Sequence, residues 1–271
     1  MYITLPSDAS MDLFPDNTIS AFTVKLPSEL VVDRTRDVVG LASIEWPHTF
    51  QNATFGSLKI YLLPNESSGP PREKKVSATF NLIDGYYATS KELVTEINRA
   101  LRYVHFTGYD HVLNGAQHCY LQYDERTETV AFVTEANSPA QFRLKMSWQL
   151  YAKLGFALRR VDDPVIKSGQ AAEHVVDMNA GFNSLYVYCD LVENSRIVGS
   201  RLTSVLRVLP IDGKHGEVRY YEPRHIEYLP LRYDRISEIR IELRTDTGEL
   251  IHFKSGKTVI GLRIKSKVFD A

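Results

Sequence analysis

The residues of this chain best suited to hold a transition metal are His105, His111, His118 and Cys119, since imidazole nitrogen and thiolate sulfur are the usual zinc ligands. Structural zinc sites bring such ligands together in tight, paired spacings. Here the gaps are irregular, and the run 109–117 between them reads as a surface loop. A cupin-type metal barrel would need histidines converging from neighbouring strand positions, and His174, His215, His225 and His252 show no HxH arrangement. Asp162-Asp163 could suggest paired catalytic carboxylates, but Pro164 follows directly and makes a solvated turn the simpler reading. The sequence has no GxSxG elbow, HExxH helix, phosphate-binding glycine loop or GxGxxG turn. Arg72 with Lys74-Lys75, and Arg159-Arg160, are short basic patches of the kind that solvated faces carry. Tyr186-Val187-Tyr188 offers rings on which a sugar could stack, yet tyrosines at strand spacing more often fill a core or pair across strands. The expectation is a protein with no catalytic residues, no bound metal and no cofactor.

Composition narrows the class. Lys and Arg number 32 against 33 Asp and Glu, with an isoelectric point near 6.7, so a sequence-independent grip on nucleic acid is disfavoured. Cys119 and Cys189 stand far apart, which argues against a disulfide scaffold and fits a reducing compartment. No run of about 18 apolar residues appears, so no membrane span is expected. The first residues lack the basic start and apolar core of a signal peptide. The sequons at Asn52 and Asn65 are accordingly expected to go unused. Fifteen Tyr and 12 Phe against four Met suit strands better than helices.

The chain begins with an apolar but weakly periodic arm. Phe14-Pro15-Asp16-Asn17 makes a turn, and Phe22, Val24 and Leu26 alternate beyond it. Met11, Phe14 and Phe22 are its candidates for contact with a neighbouring subunit; the alternative is an arm packed on its own sandwich. Asp37–Glu45 and Leu58–Leu63 read as strands, each stopped near a proline, and the polar, Pro/Gly-rich run 65–75 reads as a linker. From Val76 the character changes. Thr89-Ser90 caps a helix over about 91–103, two strands form a hairpin around 124–127, and a short helix from Ser147 stops at Gly155. Residues 76–158 are therefore expected to be a small α+β insertion. It would divide a β domain made of 1–75, the arm and first strands, and 159–271, the remaining strands.

Residues 236–265 read as a C-terminal hairpin. Ile236, Ile239, Ile241 and Leu243 interleave with Glu238, Arg240, Glu242 and Arg244, and Asp246-Thr247-Gly248-Glu249 supplies turn chemistry. The charged set is either a solvated sheet face or a mixed-sign subunit contact. Antiparallel strands at both ends of the chain, separated by a helix-bearing insertion, predict a mainly β protein: a single jelly-roll antiparallel β-sandwich with a small inserted α+β subdomain.

Six stretches in a fixed order carry a family likeness: 5–27, 85–98, 153–156, 185–192, 205–210 and 246–264. Together they resemble the minor capsid (penton) proteins of Polinton/Maverick elements and adintovirus-like viruses. The likeness implies a homopentamer of single jelly rolls at icosahedral vertices, surrounded by a double jelly-roll major capsid protein. It brings no catalytic residues, and it implies a virion protein assembled in the nucleus or cytoplasm of a host cell. The insertion is the part that could meet a host receptor. The reading from a different class is a carbohydrate- or ligand-binding β-sandwich, which would need an exposed row of aromatic rings.

Overall fold

The computed structural model describes residues 1–52, 57–64, 76–106, 113–114, 118–135, 138, 140–157, 162, 164–178, 183–246 and 248–267. Its strands and helices, in chain order, begin with β1 (Tyr2–Pro6), β2 (Ala21–Val31) and β3 (Asp37–Pro47). A second group follows: β4 (Ser57–Pro64), β5 (Val76–Asn81), α1 (Ser90–Arg102), β6 (His105–Phe106), β7 (Leu113–Asn114), β8 (Cys119–Asp124), β9 (Thr129–Thr134), β10 (Ala140–Lys145), α2 (Trp148–Lys153) and β11 (Val165–Lys167). The chain then returns through β12 (Ser184–Cys189), β13 (Arg196–Val198), β14 (Arg201–Thr203), β15 (Val205–Pro210), β16 (Val218–Tyr221), β17 (Leu229–Pro230), β18 (Arg235–Arg244) and β19 (Val259–Ser266). Two compact units result, one of residues 1–51 with 181–271 and one of residues 52–180.

In the first unit the pairing is nested. β1 pairs with β19, β2 with β18, β3 with β16 and β12 with β15, all antiparallel. The pairs β19·β3 and β12·β18 join them into two sheets, ordered β1-β19-β3-β16 and β15-β12-β18-β2. Folding a long antiparallel ribbon over itself in this way is what defines a jelly roll. Alternation puts Leu5, Ile44, Ile260 and Leu262 of one sheet against Phe22, Val187, Ile239 and Ile241 of the other, all within one buried cluster.

The two arms of the expected C-terminal hairpin lie in different sheets. A tight turn does close after β18: Thr245 N–H donates to the Glu249 carbonyl at 2.8 Å, Gly248 sits at φ +87°, and Ile251 N–H returns to Leu243 O at 3.1 Å. Beyond Ile251 the chain crosses over, with Lys254 N–H on Thr49 O at 3.2 Å, and β19 then enters between β1 and β3. Each arm buries its own apolar face, so each needs a separate sheet partner. Ile236 and Ile239, three residues apart, both point inward because the register shifts between Ile236 and Glu238.

The second unit has a four-stranded sheet ordered β11-β10-β4-β5 and a β8–β9 hairpin. Helix α1 buries Leu93, Val94, Ile97 and Leu101. Thr89 caps it by accepting from Glu92 N–H at 3.2 Å, while the Glu92 carboxylate accepts from Ala88 N–H at 2.9 Å. Asn98 then ties the helix to β8, donating to Leu121 O and accepting from Leu121 N–H, both at 2.8 Å. This unit is wider than the expected 76–158. β4 pairs with β5 and β10, and β11 pairs with β10, so strands on both sides of the expected limits complete its sheet. Asn52 extends it further, exchanging hydrogen bonds with the Tyr87 backbone at 2.8 and 2.9 Å. The run 65–75, read as a linker between domains, lies outside the described residues and joins two paired strands of one sheet.

Gly155 stops α2 at φ +83°, and a Cβ there would meet the His174 carbonyl oxygen at 2.1 Å. Gly155→Ala is expected to destabilise the inserted unit by roughly 1–3 kcal/mol. Urea unfolding followed by circular dichroism measures this.

Candidate functional site

The charged residues expected to mark a subunit contact lie on the outer face of β18, which is an interior strand between β12 and β2. Glu242 holds the centre. Arg240 Nη2 lies 2.7 Å from its Oε1, and Arg244 Nε donates to its Oε2 at 2.7 Å. The two guanidinium groups flank one carboxylate that is only 17% exposed, and Arg244 also lies over the Tyr188 ring at 5.9 Å. The row is thus balanced within its own sheet, with Arg240 the exposed member at 60%. Glu238 is exposed opposite Lys25. The outer positions also carry Tyr186 and Tyr188. Their spacing favoured a core or cross-strand role over a sugar platform; β12 buries Leu185, Val187 and Cys189 instead of them and leaves both tyrosines half-buried.

The N-terminal candidates separate. Phe22 is 2% exposed and belongs to the sandwich core, so it has no surface to offer a neighbour. The 7–17 segment is held to its own unit. Asn17 donates to Thr23 O at 2.9 Å and accepts from Thr23 N–H at 2.8 Å, and Lys25 N–H donates to Ser10 Oγ at 3.1 Å. Phe14 is half-buried, and Met11 projects at 43% exposure beside exposed Leu13.

Two apolar surfaces were not singled out from the sequence. β16, an edge strand, exposes Val218 at 63% and Tyr220 at 61%. The β13–β14 hairpin sets Ile197 opposite Leu202, and both are exposed. The available signal was alternation in Val218-Arg219-Tyr220, which marks a strand but does not say which of its faces is covered.

Among the described residues, no group of three or more His, Cys, Asp and Glu could hold a metal ion, and His111 lies outside them. Cys119 and Cys189 are both buried, and neither is disulfide-bonded. Burial pushes the first up to about 12 and the second higher still, which favours the protonated thiol in both. Burial lowers Lys153 to about 8 against the opposing pull of Asp177, and its ammonium donates to Met178 O at 2.8 Å. His48 is 5% exposed, stacked on Phe50 at 4.5 Å and edge-on to His215 at 6.3 Å. Its Nδ1 is buried without a hydrogen-bond partner. Burial, then the His215 charge, lowers its pKa, and burial, then Lys254, lowers that of His215. His48 also anchors the end of β3 to the turn before β16: its N–H donates to Glu217 O, and its carbonyl accepts from Gly216 N–H, both at 2.8 Å.

These features define a single jelly roll interrupted between its third and fourth core strands by an α+β unit, with apolar side chains exposed on an edge strand and a hairpin. No family model matches the sequence, and no curated protein matches it. Among solved structures the chain is similar to the mavirus penton protein, at 8% identity over 98% of this chain and 99% of that one, with a TM-score of 0.49.

Because His48 and His215 titrate below the ordinary value of 6.5 in the folded chain, the unfolded chain takes up their protons first as pH falls. Stability contributed by the neutral rings is full above about pH 7 and is lost as pH drops through 6.5 and below. Denaturant midpoints between pH 7.5 and 5 are expected to fall, and His48→Gln is expected to flatten that slope.

Proposed function

We propose that this chain is a penton-type minor capsid protein, a structural virion component that closes into a pentamer at icosahedral vertices and works by self-assembly. The observation that carries the reading is the nested strand order of one jelly roll, whose edge strand β16 and β13–β14 hairpin leave Val218, Tyr220, Ile197 and Leu202 uncovered. Apolar surface on two different parts of one sandwich suits a heterologous contact, in which one patch meets another on the next copy and the rotation closes a ring. The ordered resemblance of six sequence stretches to Polinton/Maverick and adintovirus-like pentons supports the same reading. Met11 of the N-terminal segment and Arg240 of β18 are further contact candidates by their exposure. The same resemblance supports a double jelly-roll major capsid protein as the surrounding partner and the virion as the location. The alternative of a ligand-binding sandwich needs an exposed row of rings, whereas Tyr186 and Tyr188 are half-buried on the outer face with the Arg244 guanidinium 5.9 Å from the Tyr188 ring.

Mass photometry and negative-stain imaging of the purified chain are expected to show five-fold rings. Val218→Glu with Tyr220→Glu is expected to shift the population to monomer, with unchanged circular dichroism. Monomer alone across capsid-like buffers and at high protein concentration would overturn the reading.

A further inference from the structure

The four-stranded sheet of the inserted unit has an unusual charge pattern. Its strands, 57–64, 76–81, 140–145 and 165–167, contain Lys59, Arg143, Lys145 and Lys167 and not one acidic residue, in a chain with 32 Lys and Arg against 33 Asp and Glu. The register gathers these cations. Arg143 stands opposite Lys167 on one side and Tyr61 on the other, and Lys145 stands opposite Lys59 two residues along. Leu58, Ile60, Phe142, Leu144 and Ile166 are buried on the other face, so alternation turns the cations outward. Lys59, Arg143 and Lys167 are exposed, and their charged ends make no ion pair or hydrogen bond among the described residues. Like charges directly opposed across a ladder repel, and an anion placed between them converts that repulsion into a two-point grip.

Beside the Arg143–Lys167 pair lies an open depression of about 310 Å³, lined also by Thr134, Gln141, Ser168 and Glu135. Ser168 Oγ accepts from Phe142 N–H and donates to Phe142 O, both at 3.1 Å, and it bonds the Thr134 hydroxyl, so this wall is fixed in place. We propose that this face binds an acidic polysaccharide. Arg143 and Lys167 hold one sulfate or carboxylate group at the depression, Lys59 meets the next, and the neutral groups bond sugar hydroxyls. Hydroxyl and amide side chains, Ser77, Thr79 and Gln141, surround the cations at exposed positions. A sheet that reads single-stranded nucleic acid instead presents several rings for base stacking, and Tyr61 is the one aromatic at the outward positions described here. The inference goes beyond the assembly reading and stands without it, because a monomer carries the whole face.

The test uses the full chain on immobilised heparin, with neutral dextran and a single-stranded DNA oligonucleotide of matched length as competitors. Expected are saturable, salt-sensitive binding displaced by heparin and not by dextran, and at least a tenfold loss in Arg143→Ser with Lys167→Ser. Glu135→Gln, which removes the one carboxylate among the described residues lining the depression, is expected to bind more tightly. Lys214→Ser with Arg224→Ser, an equal charge loss on the other unit, is expected to leave affinity unchanged. No binding to heparin, equal losses in both double variants, or stronger displacement by DNA than by heparin would each overturn the proposal. Ring formation is read separately by mass photometry, so its absence leaves this result interpretable.

Discussion

Every strand of the sandwich except the short outer pieces depends on a partner far away in sequence. β1 is completed by β19, and the amino terminus itself donates to Ile264 O at 2.8 Å, across 263 residues. β19 lies between β1 and β3, so the outermost pair shares its register with β3. Burial enforces that register, since a slip of one residue would exchange Ile260, Leu262 and Ile264 for Gly261, Arg263 and Lys265 in the core. The same constraint decides where the molecule is unfinished. Two sheets of four main strands must end somewhere, and β16 is one of those ends.

Much of this was legible in the residues. The strand alternation, the Thr89 cap and the Gly155 stop are local signals, and local signals survive without knowledge of the partners. The mainly β sandwich with an α+β insertion follows from the order of such signals. What could not be read was which strand each face meets. The 236–265 stretch carries two alternating arms around a good turn, which is also how a hairpin looks. Only the separate burial of Ile241 and Leu262 in opposing sheets shows the crossover. The inserted unit is wider than its local signals suggest for the same reason, because a Pro/Gly-rich run between 65 and 75 looks alike whether it joins domains or paired strands.

The contact residues were harder still. Phe22 and Met11 look alike as apolar residues in an apolar arm, yet one fills the core and the other projects from it. Tyr186 and Tyr188 sit at core-like spacing, and only the inward turn of Leu185, Val187 and Cys189 shows that the rings face out. Period-2 alternation separates a strand into two faces and is silent about which is covered. Charge is more informative where it is one-sided. Four strands with no carboxylate among them stand out in a balanced chain, although their cations are scattered from 59 to 167 and meet only through the register.

The 52–180 unit is closed on itself, whereas the sandwich has strands on both sides of it. On a ribosome, the inserted unit can therefore finish folding while β18 and β19 are still unsynthesised. At roughly 5–20 residues per second, synthesis of the 52–180 stretch alone takes on the order of 6–26 s. For that interval Phe22, Ile44 and Trp46 have no opposing sheet. The long connection that separates β3 from β12 thus also sets a delay in synthesis, during which nascent strands with open edges are the species a chaperone would meet.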